Sequence, residues 1–175
     1  KFELHDLPVT AQLSSIYGMQ TADVDNDGNL DVVCTGNSFA PETQSGRNDA
    51  QGMLVLKGNG KGSFTVNSKG FNAASDNKAI SSIQGADRTR LFLVSSNSGY
   101  LKAYRGNNIE KSIPLIDTDV YAVITRKDGK KYKEEFMFGQ SYLSQSSRRL
   151  YISSDIASVL VYNTKGEKRE IKAFD

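Results

Sequence analysis

Residues 30–37 read Leu30-Asp31-Val32-Val33-Cys34-Thr35-Gly36-Asn37, and residues 90–97 read Arg90-Leu91-Phe92-Leu93-Val94-Ser95-Ser96-Asn97. Each is a short run of β-branched and apolar residues that ends in small residues and Asn, the signature of a strand entering a turn. The two runs lie 60 residues apart, and the chain around them repeats as well. Asp6 to Asn37 resembles Gly70 to Asn97, with Ala22-Asp23 matching Ala86-Asp87. Lys57-Gly58-Asn59 matches Arg105-Gly106-Asn107, and Phe2-Glu3-Leu4 and Phe64-Thr65-Val66 open the two copies. An internal repeat of this kind organises the first two-thirds of the chain.

Strand signals dominate elsewhere too. Met53-Leu54-Val55-Leu56 and Ser158-Val159-Leu160-Val161-Tyr162 are bounded by Gly, Asn, Asp or Ser. Hairpin turns are expected at Asp27-Gly28, Asn59-Gly60, Asn97-Ser98-Gly99, Asp128-Gly129 and Lys165-Gly166. No stretch carries a helical period; Asp76 to Ile83 is too short and too polar. The expected class is all-β. Each repeat copy reads as four short strands with tight connections, the pattern of one β-propeller blade. The first blade is expected at residues 12–22, 30–36, 52–57 and 63–67. The second is expected at 78–85, 90–95, 100–105 and 109–113. Phe2 to Leu7 reads as the outer strand of a preceding blade. A propeller closes with at least about four blades, on the order of 200 residues. The blades of residues 1–116 therefore read as a fragment of a longer propeller, or as an open pair. After Pro114 the repeat stops, and residues 117–175 read as a small antiparallel β domain, a sandwich or barrel. Its strands are expected at Val120–Ile124, Tyr132–Phe138, Arg149–Ile152, Ser158–Tyr162 and Lys168–Phe174. The chain opens Lys1-Phe2-Glu3-Leu4, strand-like, with no initiator Met and no apolar leader, which favours a piece of a larger protein.

Composition narrows the function classes. The 175 residues carry 22 Lys and Arg against 20 Asp and Glu. The net +2 is too small and too scattered to argue for nucleic acid or an anionic membrane surface. No apolar run approaches the ~20 residues of a transmembrane helix. One His and one Cys exclude an internal disulfide and most zinc sites. Any His-based triad would depend on His5 alone.

One motif carries chemistry. Asp23-Val24-Asp25-Asn26-Asp27-Gly28-Asn29-Leu30-Asp31 places carboxylates at positions 1, 3, 5 and 9, with Gly at 6. Alternate oxygen donors in a tight loop suit a hard cation; calcium takes 6–8 oxygens at ~2.3–2.6 Å. Asp23, Asp25, Asp27 and Asp31, with the Asn29 backbone carbonyl, are the expected Ca²⁺ ligands. It is not an EF-hand: Cys34 sits where the bidentate Glu would be, and the flanks read as strands. The competing reading is a solvated acidic turn, since Asp-Gly and Asn-Asp are ordinary turn formers.

Ala22 to Val33 resembles the calcium loop of FG-GAP and VCBS-type propeller repeats, also found in integrin α-chain propellers. Gly36-Asn37-Ser38-Phe39, Glu42, Gly46-Arg47-Asn48-Asp49-Ala50, Gly52 and Gly58-Asn59-Gly60-Lys61-Gly62-Ser63-Phe64 resemble the last blades of bacterial VCBS-repeat proteins. Phe138-Gly139-Gln140-Ser141-Tyr142-Leu143-Ser144-Gln145-Ser146-Ser147-Arg148-Arg149-Leu150 resembles the ASPIC/UnbV domain that follows such propellers and occurs in cartilage acidic protein. The resemblance implies an exported protein at the cell surface, in the periplasm or outside the cell, and no established activity. It implies upstream blades as a partner within the chain. The leading expectation is a non-enzymatic, calcium-binding β-propeller end piece for protein or glycan binding and adhesion. The alternative is an accessory module of a larger secreted carbohydrate-active enzyme or polysaccharide-utilisation system.

Weaker candidates have bland readings. His5 has Asp6 beside it, but neighbours on a strand face apart, which argues against catalysis. Cys34 reads as a buried small hydrophobe. Glu42, Arg47 and Asp49 lie in a long loop, where Arg47 either clamps Glu42 or Asp49 or meets a ligand. Tyr142, Gln145 and Arg148 read as a structural turn ahead of a sugar-binding surface. Glu134-Glu135 is no glycosidase dyad, since the two face apart.

Overall fold

The computed structural model describes residues 3–67 and 75–171, all but the side chains of residues 107 and 108. Strands dominate, and the described residues form one short 3-10 turn, Val9–Gln12, and antiparallel sheets, none of them closed. The chain divides into two compact units, Lys1–Ile109 with Gly139–Ser146, and Glu110–Phe138 with Ser147–Asp175.

In the first unit, β1 (Ile16–Ala22), β2 (Asp31–Gly36), β3 (Met53–Gly58) and β4 (Phe64–Val66) form a four-stranded meander in chain order. Opposed residues run Gln20, Val33 and Val55 in one row and Gly18, Thr35 and Met53 in the next. β5 (Asn77–Gln84), β6 (Thr89–Ser96) and β7 (Lys102–Ile109) form a three-stranded sheet. The sheets meet over Ala22, Val33, Met53, Val55, Ile80, Phe92 and Val94. They approach closely at Gly18, where a Cβ would sit 2.9 Å from both the Ile80 and the Thr35 methyls. The other face of the first sheet is covered by Ala11 of the 3-10 turn, packed with Cys34, Leu54 and Leu56. A sheet buried on both faces explains the continuous apolar run at residues 53–56. Asn37 and Asn97, the matched ends of the two repeat runs, do the same work. The Asn37 N–H donates to Ser15 O at 3.0 Å and the Asn97 N–H to Asp76 O at 2.8 Å, each tying its strand end to the start of its own first strand.

In the second unit, β9 (Asp119–Arg126), β10 (Lys131–Glu135), β12 (Ile156–Asn163) and β13 (Lys168–Ile171) form a sheet in the order β10-β9-β12-β13. β8 (Lys111–Pro114) pairs with β11 (Arg149–Ile152) in a two-stranded sheet. The core joins Ile124, Val159 and Val161 to Phe136, Leu150 and Ile156.

The five expected turns all fall on hairpin connections, and Gly28, Gly60, Gly129 and Gly166 take the positive φ that favours glycine. Three expectations are corrected. Residues 12–15 are not strand: Gln12 closes the 3-10 turn, its side chain donating to Leu7 O at 2.7 Å, and β1 starts at Ile16. The second copy is not a four-stranded blade. Its fourth strand, expected at 109–113, leaves β7 and pairs with β11, because Ile113 opposite Leu150 gains burial in the second core. The outer strand expected at Phe2–Leu7 is absent over Glu3–Leu7, which is irregular and exposed; Phe2 lies outside the described residues, as do residues 172–174 of the last expected strand.

Candidate metal centre

The acidic loop joins β1 to β2, so the register of that hairpin sets the mouth of the site. Ala22 pairs with Asp31, and the eight residues between them must reverse the chain. Asn26 and Gly28 do so with φ of 65° and 86°. The loop is stitched by its own carboxylates. Asp23 accepts the Asp27 N–H at 3.1 Å and the Gly28 N–H at 2.9 Å, and Asp27 accepts the Asn29 N–H at 2.8 Å. These bonds hold the Asp23 and Asp27 carboxylates over the loop's own backbone, and Asp25 is held by Lys57 of β3.

Asp23, Asp25 and Asp27 come together, with one carboxylate oxygen of each within 4.8 Å of the others. Asp31 stands apart from that cluster. It is fully buried, and its two oxygens accept the Val24 N–H and the Gly58 N–H, each at 2.9 Å. It ties the loop to β2 and β2 to the end of β3. Asn29 sits at the cavity beside the loop, its side-chain oxygen against Gly60. That open polar cavity is lined by Asp27, Asn29, Lys57, Asn59, Ser63 and Thr65.

Electrostatics mark the loop as short of positive charge. Burial pushes the Asp23 carboxyl above its ordinary range, against the backbone N–H groups of Gly28, Asp27 and Asn26 that pull it down, and with Asp27 adding to the rise. Burial likewise raises Asp31, and Asp25 and Asp27 add to it. Lys57, on β3, answers this: its ammonium forms an ion pair with Asp25. That contact raises the lysine first, and Asp27 and Asp31 contribute further. The chain places a cation of its own at the acidic cluster, and the donor set is carboxylate oxygen, so the residues fit a hard metal ion. Sequence reasoning passed over Lys57. Its signal was present: it is the one charge in the run Met53-Leu54-Val55-Leu56-Lys57-Gly58.

The equivalent loop of the second copy is built differently. Asp87 accepts the Thr89 hydroxyl at 2.6 Å and pairs with Arg105. The weaker candidates fall as follows. His5 is exposed, 3.9 Å from Glu3. Cys34 is buried, and burial lifts its thiol to about 11. Arg47 lies 4.1 Å over the Phe39 ring and 3.7 Å from Asp49, on a loop closed by the Ser38–Asn48 bridge. Glu42 accepts the Ser45 N–H through its backbone carbonyl at 3.0 Å. Tyr142 and Gln145 belong to a serine-rich segment held on the first unit. Ser141 accepts the Met19 N–H at 3.0 Å, Ser144 donates to Ile80 O at 2.9 Å, and Ser146 accepts the Ser82 N–H at 3.0 Å. Arg148 is in the second unit, 4.0 Å over Phe138 and donating to Asp119 O at 2.7 Å. Glu134 and Glu135 oppose Ala122 and Tyr121 and so take opposite faces.

No protein-family model matches the chain, and no curated protein matches it. No helix among the described residues is long and apolar enough to cross a membrane.

Proposed function

We propose that the chain is a non-enzymatic binding module of the β-propeller type, an end piece whose first sheet is stabilised by Ca²⁺ at the β1–β2 loop. The observation that carries this is the convergence of Asp23, Asp25 and Asp27 at the end of a four-stranded antiparallel meander. The meander is the unit from which propeller blades are built. Calcium rather than magnesium suits a flexible loop that offers several carboxylates, because magnesium keeps its waters and demands octahedral geometry. Asn29 and Asp31 complete the proposed site, Asn29 through its carbonyl and Asp31 from the strand end, through the lone pairs that its bonds to the Val24 and Gly58 N–H groups leave open. A hydroxyl-rich or peptide ligand beside the ion would meet the polar side chains of Lys57, Asn59, Ser63 and Thr65. In this reading the protein is exported and works in adhesion or surface binding. The accessory-module alternative differs only in what it is joined to. A glycan array and a pull-down with surface proteins, each run in millimolar calcium and in EGTA, test the reading. Calcium-dependent capture supports it; no capture in either condition overturns the binding role.

A further inference from the structure

The two repeat copies end differently. In the first, β4 lies beside β3; in the second, the sheet stops at β7. Among the described residues no strand lies on the far side of β7, and Leu101 and Ile109 at its ends are exposed. An open edge of this length is a template for another strand.

The chain also carries a segment shaped like the missing strand. Glu3-Leu4-His5-Asp6 lies outside every sheet, and Leu4 is 97% exposed. The chain just after it is anchored on the first sheet, where Ala11 of the 3-10 turn packs with Cys34, Leu54 and Leu56, and residues 3–7 are exposed. In the first copy Phe64, Thr65 and Val66 oppose Gly58, Lys57 and Leu56. Phe2-Glu3-Leu4 matches Phe64-Thr65-Val66, and Arg105-Gly106 matches Lys57-Gly58. Carrying the first copy's register across places Glu3 opposite Arg105, Leu4 opposite Tyr104 and Asp6 opposite Lys102. Both acidic residues of the segment then meet basic residues of β7. Leu4 extends the row formed by Tyr104 and the buried Phe92. A slip of one residue loses both charge pairs and turns Leu4 to the other face. Arg105 already holds Asp87, and Lys102 already bonds the Ser75 hydroxyl, but each head has further N–H donors.

We propose that residues 3–6 of one copy add to β7 of a second copy as its missing outer strand, so that the chain self-associates by strand exchange. Sedimentation and light scattering from micromolar to submillimolar protein test this. The expected result is a concentration-dependent dimer or larger assembly that a chain lacking residues 1–6 does not form. R105E is expected to abolish it and E3R/R105E to restore it; circular dichroism and thermal melts establish that each variant is folded. Should R105E fail to fold, K102E with D6K tests the same register. Amide exchange at Glu3–Asp6 should slow as concentration rises. A chain monomeric throughout, or an assembly that survives the deletion, overturns the proposal. So does an assembly lost on deletion but not restored by either charge exchange, because the segment then docks away from β7.

Discussion

Replacing Asp31 by Ala removes a buried carboxylate that holds three pieces of backbone together. Its oxygens accept the N–H of Val24 in the loop and of Gly58 at the end of β3. The site cannot easily close over the loss. At Gly58 the backbones already pass so closely that a Cβ there would lie 2.2 Å from Leu30 O. A buried N–H left without an acceptor costs about 1–3 kcal/mol, so Asp31→Ala should destabilise by roughly 4 kcal/mol. That is a large share of the about 5–15 kcal/mol of a typical domain. At a urea slope of about 2 kcal/mol/M the midpoint should fall by about 2 M. Asp31→Asn keeps one acceptor and turns an amide N–H toward the other donor, and should cost roughly 2 kcal/mol. pH gives a second readout, taken in EGTA. Burial raises the folded carboxyl above its unfolded value, so its contribution is full below about pH 3.8 and is lost as pH rises through the folded value. D31N lacks this titration, so its deficit against the parent should narrow as pH rises from below about 3.8 through the folded carboxyl's raised value. Asp25→Ala, by contrast, breaks a partly exposed pair with Lys57 and should barely move the midpoint in EGTA. If Asp31→Ala unfolds at the parent's midpoint, or its cost equals that of Asp25→Ala, the strapping role is wrong.

Lys57→Gln removes the cation that the chain itself places at the acidic loop. Calcium affinity by calorimetry should then rise roughly ten- to thirtyfold, the scale of one unit charge about 4–6 Å from a divalent ion in a water-like medium; unchanged affinity would show that the ammonium does not compete. Asp76 is nearly buried, 2.7 Å from the Lys78 ammonium. Burial alone would raise it, but Lys78 and Asn97 together hold its carboxyl below the usual range. Its contribution is therefore present above about pH 3.8 and lost as pH falls through the folded value. Asp76→Asn should cost about 3 kcal/mol at neutral pH in urea unfolding and show a shallower acid loss than the parent. Cys34, with its thiol lifted to about 11, should resist thiol reagents at pH 8 in the native state and react at once in urea.

What could be read in the sequence was what local chemistry decides. Gly28, Gly60, Gly129 and Gly166 mark turns because their φ is positive there, and short apolar runs between them are strands. The acidic loop was legible for the same reason, since alternate Asp side chains and a glycine lie within nine residues. Choice of partner was not. Lys111–Pro114 reads as a strand whichever neighbour it takes, and only the burial of Ile113 against the second core sends it to β11. The serine contacts of residues 141–146 with Met19, Ile80 and Ser82 join positions more than 60 residues apart and leave no period behind. Spacing makes Asp31 a fourth ligand candidate, but not the strap it forms: from the first position of β2 its oxygens also accept two backbone N–H groups, one of them 27 residues away.

Calcium titrated into the full chain, with thermal unfolding in parallel, decides whether the β1–β2 loop is a metal site. One site is expected, with Kd of roughly 10⁻⁴–10⁻³ M, the range of extracellular calcium modules. Binding to the folded state should add about 2.7 kcal/mol at a hundredfold excess over Kd. For a chain of this size that raises Tm by roughly 5–10 °C. EGTA should reverse the rise, and Asp27→Asn should lose most of it. Because Asp23, raised by burial, must give up its proton to bind the ion, the rise should shrink as pH falls. A chain that gives no binding heat, and melts at one temperature in calcium and in EGTA, holds no ion there, and its loop is only an acidic turn.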